Sequence, residues 1–302
     1  MSSSTTSALP SGFPAPAVVL ELLKPITWFP PMWAFACGVV SSGVALHGHW
    51  RLILAGVVLC GPLLCATSQA VNDWFDRHVD ALNEPSRPIP SGRMPGRWGL
   101  HVAVLWTGLS LACAAALGVW VLAASVVGVV LAWVYSAPPV RLKQNGWWGN
   151  LACAACYEGI AWLTGAMVML GGSAPPGKTL IIAVLYSLGA HGIMTLNDFK
   201  SVEGDRTLGI RSVPVQLGEE LAGEMACAAM MIPQLVVIAL LVSWHQGAAA
   251  AAVAVLLAVQ LLLMRILLTD PRGRAPWYNG TGVTLYVIGM LVTAFALRNL
   301  AT

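Results

Sequence analysis

Nine apolar stretches succeed one another along the chain, at about residues 26–46, 52–72, 99–117, 119–136, 149–170, 179–198, 221–243, 247–268 and 280–300. Each is close to the roughly 20 residues that an α-helix needs to cross a bilayer. Lipid offers no partner for backbone N–H and C=O groups, so such stretches predict an all-α, polytopic membrane protein with nine transmembrane helices. The apolar link near Gly118 also admits one broken span in place of two. Residues 1–20 are rich in Ser, Thr and Pro and have no basic region ahead of an apolar one. They predict a disordered tail and not a cleaved signal, followed by a single transmembrane domain over residues 21–302.

Composition agrees with this pattern. Of 302 residues, 57% are hydrophobic and 10% charged, where a soluble domain carries about 25% charge. The net charge of +3 is small and its basic residues are dispersed over loops, which argues against a nucleic-acid partner. All seven cysteines lie in apolar runs, an odd and buried set that makes no disulfide framework. Cys153-x-x-Cys156 reads as small residues packing between helices.

With nine spans, one side of the bundle holds all but three of the basic residues; the other holds only Arg51, Lys178 and Arg298. Positive loops mark the cytoplasmic side. The N-terminus is therefore expected in the cytoplasm.

Two acidic stretches open on that same side. Asn72-Asp73-Trp74-Phe75-Asp76-Arg77-His78-Val79-Asp80 ends the second span, and Asn197-Asp198-Phe199-Lys200-Ser201-Val202-Glu203-Gly204-Asp205-Arg206 ends the sixth. Five of the six aspartates lie in them. On a helix turning about 100° per residue, Asn72, Asp73, Asp76 and Asp80 share one face, and Asp198 and Asp205, seven apart, share another. Gly204 and Gly209 argue against one unbroken helix through the second stretch. Carboxylates this close repel one another and call for a cation, and hard oxygen ligands suit Mg²⁺.

Basic groups flank the acids. The loop Asn83-Glu84-Pro85-Ser86-Arg87-Pro88-Ile89-Pro90-Ser91-Gly92-Arg93 is stiffened by three prolines, and is expected to hold Arg87 and Arg93 against the acidic site, where guanidinium groups grip phosphate oxygens. Pro138-Pro139 ends the fourth span and turns Lys143 toward the carboxylates. Lys200 and Arg206 interleave with the second set of acids. Two further polar residues lie within spans. Glu158 is a candidate because an ionisable group inside a membrane is costly. His191 is seven residues before Asp198, so it is expected to face the same cavity one level deeper. Both also suit a simple tie between helices.

Acids, cations and an apolar span at one membrane edge describe a lipid diphosphate held through Mg²⁺. At this point the motifs carry a resemblance. Asn-Asp-x-x-Asp-x-x-x-Asp, followed by Arg87-Pro88-Ile89-Pro90-Ser91-Gly92, resembles the first signature of the UbiA superfamily of intramembrane prenyltransferases. Asn197-Asp198 to Asp205 resembles the second. The Tyr135-Ser-Ala-Pro-Pro-x-x-Leu-Lys143 and Asn197-Asp-Phe-Lys-Ser-Val-Glu-Gly-Asp-Arg206 segments, with Gly149-Asn150, are similar to the chlorophyll and bacteriochlorophyll synthase branch. Quinone-pathway members usually carry a further acid four residues beyond the second signature; here that position is Gly209.

The resemblance implies a UbiA-type bundle. It implies transfer of a geranylgeranyl or phytyl group from its diphosphate to the propionate of a chlorophyllide or bacteriochlorophyllide, with Mg²⁺ as cofactor. Asp73, Asp76, Asp80, Asp198 and Asp205 would be catalytic, and with Asn72 and Asn197 would hold metal. Tyr135 and Glu203, inside these motifs, join Arg87, Arg93, Lys143, Glu158, His191, Lys200 and Arg206 as substrate-binding candidates, His191 as an axial ligand to the macrocycle's own metal. Tyr157-Glu158-Gly159 and the short N-terminus incline the reading to the bacteriochlorophyll branch. The rivals are a prenyltransferase with an aromatic or haem acceptor, which shares every metal ligand, and a transporter, which the absence of an inverted repeat disfavours.

Overall fold

A computed structural model describes residues 12–301 of the protein. It is all-helical. Helix α1 (Pro16–Leu23) precedes a single 3₁₀ turn, Pro25–Thr27, and α2 (Phe29–Ser41). Then come α3 (Trp50–Asn83), α4 (Trp98–Leu117), α5 (Val119–Ser136), α6 (Gly146–Met169) and α7 (Gly177–Asp198). A 3₁₀ turn over Phe199–Ser201 leads to the short α8 (Val202–Thr207). The chain closes with α9 (Glu219–Ser243), α10 (Gly247–Leu267), α11 (Pro271–Gly280) and α12 (Gly282–Ala301).

Among the described residues, eight helical segments are long and apolar enough to cross a membrane. The first expected span is not one of them. Helix α2 has 13 residues, about 20 Å at 1.5 Å per residue, against a hydrocarbon core of about 30 Å. Its end is fixed by Ser41 and Ser42, whose hydroxyls turn back onto Gly38 O and Val39 O at 2.9 and 2.7 Å, and by Gly43 at φ +76°. It is held by close approach to α6. A Cβ at Gly38 would strike the Trp162 carbonyl, and one at Gly165 would strike the Phe35 carbonyl. Backbone contact of this kind is how small residues join helices in lipid. The tail expected to be disordered through residue 20 is helical from Pro16; residues 1–11 lie outside the described residues.

The apolar link at Gly118 separates two helices. Gly118 has φ +131°, and a Cβ there would strike Gly172, so the break requires glycine. The second acidic stretch is interrupted as its glycines suggested, although the interruption falls earlier, at Phe199–Ser201. The first stretch is helical throughout, on an α-segment that runs Ala66–Asn83. At 34 residues, α3 is about 50 Å long and outreaches the apolar core of a bilayer, so its acidic end projects at the edge.

Two membrane helices widen into π-helical turns, at Leu59–Cys65 in α3 and Ala155–Ile160 in α6. The first contains Pro62, which has no N–H to give; its carbonyl accepts from Trp106 Nε1 at 3.0 Å, binding α4 to α3. Such turns re-aim side chains and recur at functional sites. Helices α7, α9, α10 and α12 are tied by buried polar pairs. Tyr186 and Thr293 share a hydrogen bond of 2.8 Å, Tyr286 donates to Tyr186 O at 2.6 Å, and Gln234 and Gln260 exchange two bonds.

Candidate active site

The two acidic stretches reach the same space. Asn72 of α3 and Asn197 of α7 both line one cavity of about 590 Å³, together with Gln69, Tyr135, Tyr157, Glu158 and Asn279. Much of the rest is apolar, from residues such as Leu64, Leu131, Ile160, Ile193 and Val287, with hydroxyls from Thr27, Ser68, Thr164 and Thr284; none of the five candidate aspartates is among its lining residues. A polar rim on an apolar chamber suits a ligand with a charged head and a hydrocarbon body.

The aspartates of the first stretch are met by the protein's own cations. Asp73 is 2% exposed and takes Lys24 Nζ at 2.6 Å and Arg87 Nη1 at 3.5 Å. The same Arg87 nitrogen reaches Asp80 at 2.9 Å, while Nε and Nη2 fork onto Glu84 at 2.7 and 2.6 Å. Asp76 takes Arg141 at 3.1 Å and Lys143 at 2.5 Å. Asn72 donates to Ser136 at 3.3 Å. Three acids of one helix face are thus neutralised from three directions. The first is the approach to α2, the second is the proline loop after α3, and the third is the turn after α5.

Local structure explains each position. Lys24 has φ +47° and C-caps α1, a left-handed turn that throws its side chain back over α3. The turn carrying Lys143 is pinned to the segment beyond the second acidic stretch. Gly146 N bonds Arg211 O at 2.8 Å and Arg211 N bonds Gln144 O at 2.9 Å. Burial pushes the Lys143 ammonium below the ordinary lysine value, opposed by Asp76. The hydrogen bond from Arg87 holds Glu84 below the usual carboxylate range, against the opposing effect of burial.

In the second stretch Asp198 accepts from Asn150 Nδ2 at 2.9 Å, and Asp205 from Ser201 Oγ at 3.1 Å. Asn197 Oδ1 accepts from Asn279 Nδ2 at 2.9 Å, and the Asn279 oxygen is buried without a partner. Lys200 and Arg206 are exposed at the rim. Glu203 is turned away to an exposed pair with Arg272 at 2.8 Å.

Among the described residues, no three His, Cys, Asp or Glu side chains form a ready metal cluster. The donors of the first stretch are nevertheless hard oxygens on one helix face, and Asp73 Oδ2 is buried with no hydrogen-bond partner. A buried carboxylate oxygen left free in this way suits an added cation such as Mg²⁺.

Three expectations change. Arg93 does not stand against the acids; it pairs with Glu21 at 2.5 Å and with Ser86 O, because Gly92 at φ +76° turns the loop outward. His191 does not line the cavity. Its Nε2 lies 3.2 Å from Trp147 O and its ring stacks on Trp147 at 5.7 Å, so it ties α7 to α6. The seven-residue spacing to Asp198 gave the right bearing along α7 but not the packing of α6 against it. No candidate was expected beyond Arg206, yet that part of the chain supplies Asn279 to the cavity lining.

Sequence reasoning also passed over Lys24 and Arg141 as acid partners. Both look like ordinary basic residues at span ends, and their partners are 49 and 65 residues away. A cation at a left-handed cap or a proline turn was the available signal.

The UbiA prenyltransferase family model matches residues 23–297. The chain is 57% identical over 291 residues to the bacteriochlorophyll synthase 33 kDa chain of Cereibacter sphaeroides, covering 96% of each. It is 51% identical over 300 residues to the protein of that name in Rhodobacter capsulatus, covering 99% of each. Its fold matches a UbiA homologue from Archaeoglobus fulgidus solved with DMAPP and Mg²⁺, with a TM-score of 0.72, 22% identity, and 93% and 99% of the two chains covered. This protein is an integral membrane protein of the UbiA prenyltransferase family.

Proposed function

We propose that this protein transfers a geranylgeranyl or phytyl group from its diphosphate to the propionate carboxylate of a bacteriochlorophyllide or chlorophyllide, giving an ester and free diphosphate. The observation that carries this reading is that Asn72 and Asn197, which open the two acidic stretches, line one largely apolar cavity, while the adjoining Asp73, Asp76 and Asp80 are met by Lys24, Arg87, Arg141 and Lys143. The near full-length likeness to two bacteriochlorophyll synthases supports this acceptor class.

The cations at the mouth bind the diphosphate. Arg87 offers a planar fork and Lys143 a point charge, and both already sit on the acids. Asn72, Asp73, Asp76 and Asp198 would hold Mg²⁺, with Asp80, Asp205 and Asn197 around them. Bound there, the metal neutralises charge on the diphosphate as it departs. The prenyl chain lies in the apolar chamber, which excludes water from the allylic cation formed when the C–O bond to the diphosphate breaks. Tyr135 and Tyr157 present aromatic rings to that chamber, and ring faces favour positive charge. The acceptor carboxylate then donates an electron pair to the allylic carbon. It is already an anion, so the step requires no strong base. The basic loops favour a site open to the cytoplasm, in an inner or intracytoplasmic membrane, with residues 21–302 acting as one prenyltransferase domain.

The test is to supply the purified protein with geranylgeranyl or phytyl diphosphate, Mg²⁺, and either a bacteriochlorophyllide, a chlorophyllide, an aromatic acid or haem. The product is then identified by mass. Ester formation on a tetrapyrrole propionate is expected. Prenylation of the aromatic acid or haem alone would overturn the reading.

A further inference from the structure

Glu158 lies deep in the same cavity and serves none of the groups at its mouth. It is 4% exposed, and its Oε2 is buried without a hydrogen-bond partner. It follows Asn150, the partner of Asp198, by eight residues on α6. Eight residues are about 12 Å along a helix, so Glu158 stands beyond reach of metal and diphosphate. Among the described residues that line the cavity there is no lysine, arginine or histidine. An isolated ionised carboxylate is far costlier there than the neutral acid, which carries one O–H donor.

Three neighbouring polar groups of the lining have partners. Trp33 Nε1 donates to Val287 O at 3.0 Å, Thr164 Oγ1 to Ile160 O at 2.7 Å, and Tyr157 OH accepts from Gln69 at 3.2 Å. The π-helical turn Ala155–Ile160 is what carries Glu158 on this wall. A buried donor without a partner, facing a ligand cavity, calls for an acceptor on the ligand. A prenyl chain is hydrocarbon and has none. A chlorophyllide-type macrocycle has conjugated carbonyl oxygens on its rim.

We propose that Glu158 is a specificity-determining residue that donates a hydrogen bond to a rim carbonyl of the tetrapyrrole acceptor, fixing how deeply the macrocycle enters while its propionate stays at the mouth. This rests on the acceptor class proposed above.

The experiment compares the natural acceptor with analogues in which each rim carbonyl is replaced by a methylene, on wild type, Glu158→Gln, Glu158→Leu and Glu158→Met. Wild type is expected to prefer the carbonyl form by about tenfold in acceptor KM, the worth of one hydrogen bond at the upper end for a neutral pair. Glu158→Leu and Glu158→Met lose that preference, whereas Glu158→Gln, which still donates, keeps most of it. Any change in the KM for prenyl diphosphate is expected to be the same with either acceptor. Equal use of both acceptors by wild type overturns the inference even if no variant folds. So does an equal loss for both acceptors in the apolar variants, which marks a structural tie. Failure of wild type to esterify any tetrapyrrole overturns the underlying reading as well, and is thereby distinguished.

Discussion

The ammonium of Lys24 stands 2.6 Å from Asp73 Oδ1, joining the entrance of α2 to the acidic end of α3. Asp73 is buried and Lys24 is not. The partly exposed lysine is therefore free to turn to a phosphate oxygen, while Asp73, with its unpartnered Oδ2, would help hold Mg²⁺. Lys24→Gln is expected to raise the apparent KM for prenyl diphosphate by about tenfold, the lower end for a hydrogen bond to a charged group, and to leave the acceptor KM within about twofold. Steady-state kinetics with each substrate varied separately checks this; a change confined to the acceptor would contradict it.

Arg87 and Arg93 should part company. Arg87 joins Asp73, Asp80 and Glu84, whereas Arg93 pairs with Glu21 at the surface. Arg87→Ala leaves the buried Asp80 without its cation, which lowers thermal stability, and removes a charged donor, so diphosphate affinity falls by about tenfold or more. Arg93→Ala is expected to leave the diphosphate KM within about twofold, since exposed pairs contribute little. A matching rise in KM for both variants would show that the whole loop binds substrate.

His191 is a tie between helices. His191→Leu loses its hydrogen bond to Trp147 O and part of a ring stack, together roughly 1–2 kcal/mol. The midpoint of thermal unfolding should drop by a few degrees while acceptor KM stays level in the surviving protein. A selective loss of affinity for metal-containing macrocycles over metal-free ones would contradict this.

Close backbone packing holds the short α2. Gly165→Leu would drive a side chain into the Phe35 carbonyl, and overpacking of this kind costs about 1–3 kcal/mol or more. Reduced yield of folded protein in detergent is expected, without any specific effect on either KM. A variant as stable as wild type would show that α2 can move away from α6.

These cases mark what was legible in the sequence. The positions of the spans after the first, the helical face carrying Asp73, Asp76 and Asp80, and the doubt about one unbroken helix through the second stretch follow from period, composition and glycine, all local signals. The acidic stretches were legible because their residues recur in short motifs. Lys24 at Asp73, Arg141 at Asp76 and Asn279 at Asn197 were not, because each pairing crosses between helices whose packing no local pattern encodes. The His191 error has the same origin. Periodicity set the side chain's bearing on α7, but the ring of Trp147 on α6 decided what it met. The 13-residue α2 is shorter than the expected stretch because hydropathy continues past Ser41 and Ser42 although the helix does not.

The central claim is that the two acidic stretches act together on one diphosphate, Asp76 from α3 and Asp198 at the end of α7. Its most direct test is the turnover of purified Asp76→Ala and Asp198→Ala at saturating Mg²⁺, read as ester formed by mass spectrometry, with thermal unfolding to show that each variant is folded. Each is expected to lose about 10³-fold or more in kcat, on the scale of removing one charge-stabilising group from a catalytic site. Near wild-type turnover in either folded variant would contradict the claim.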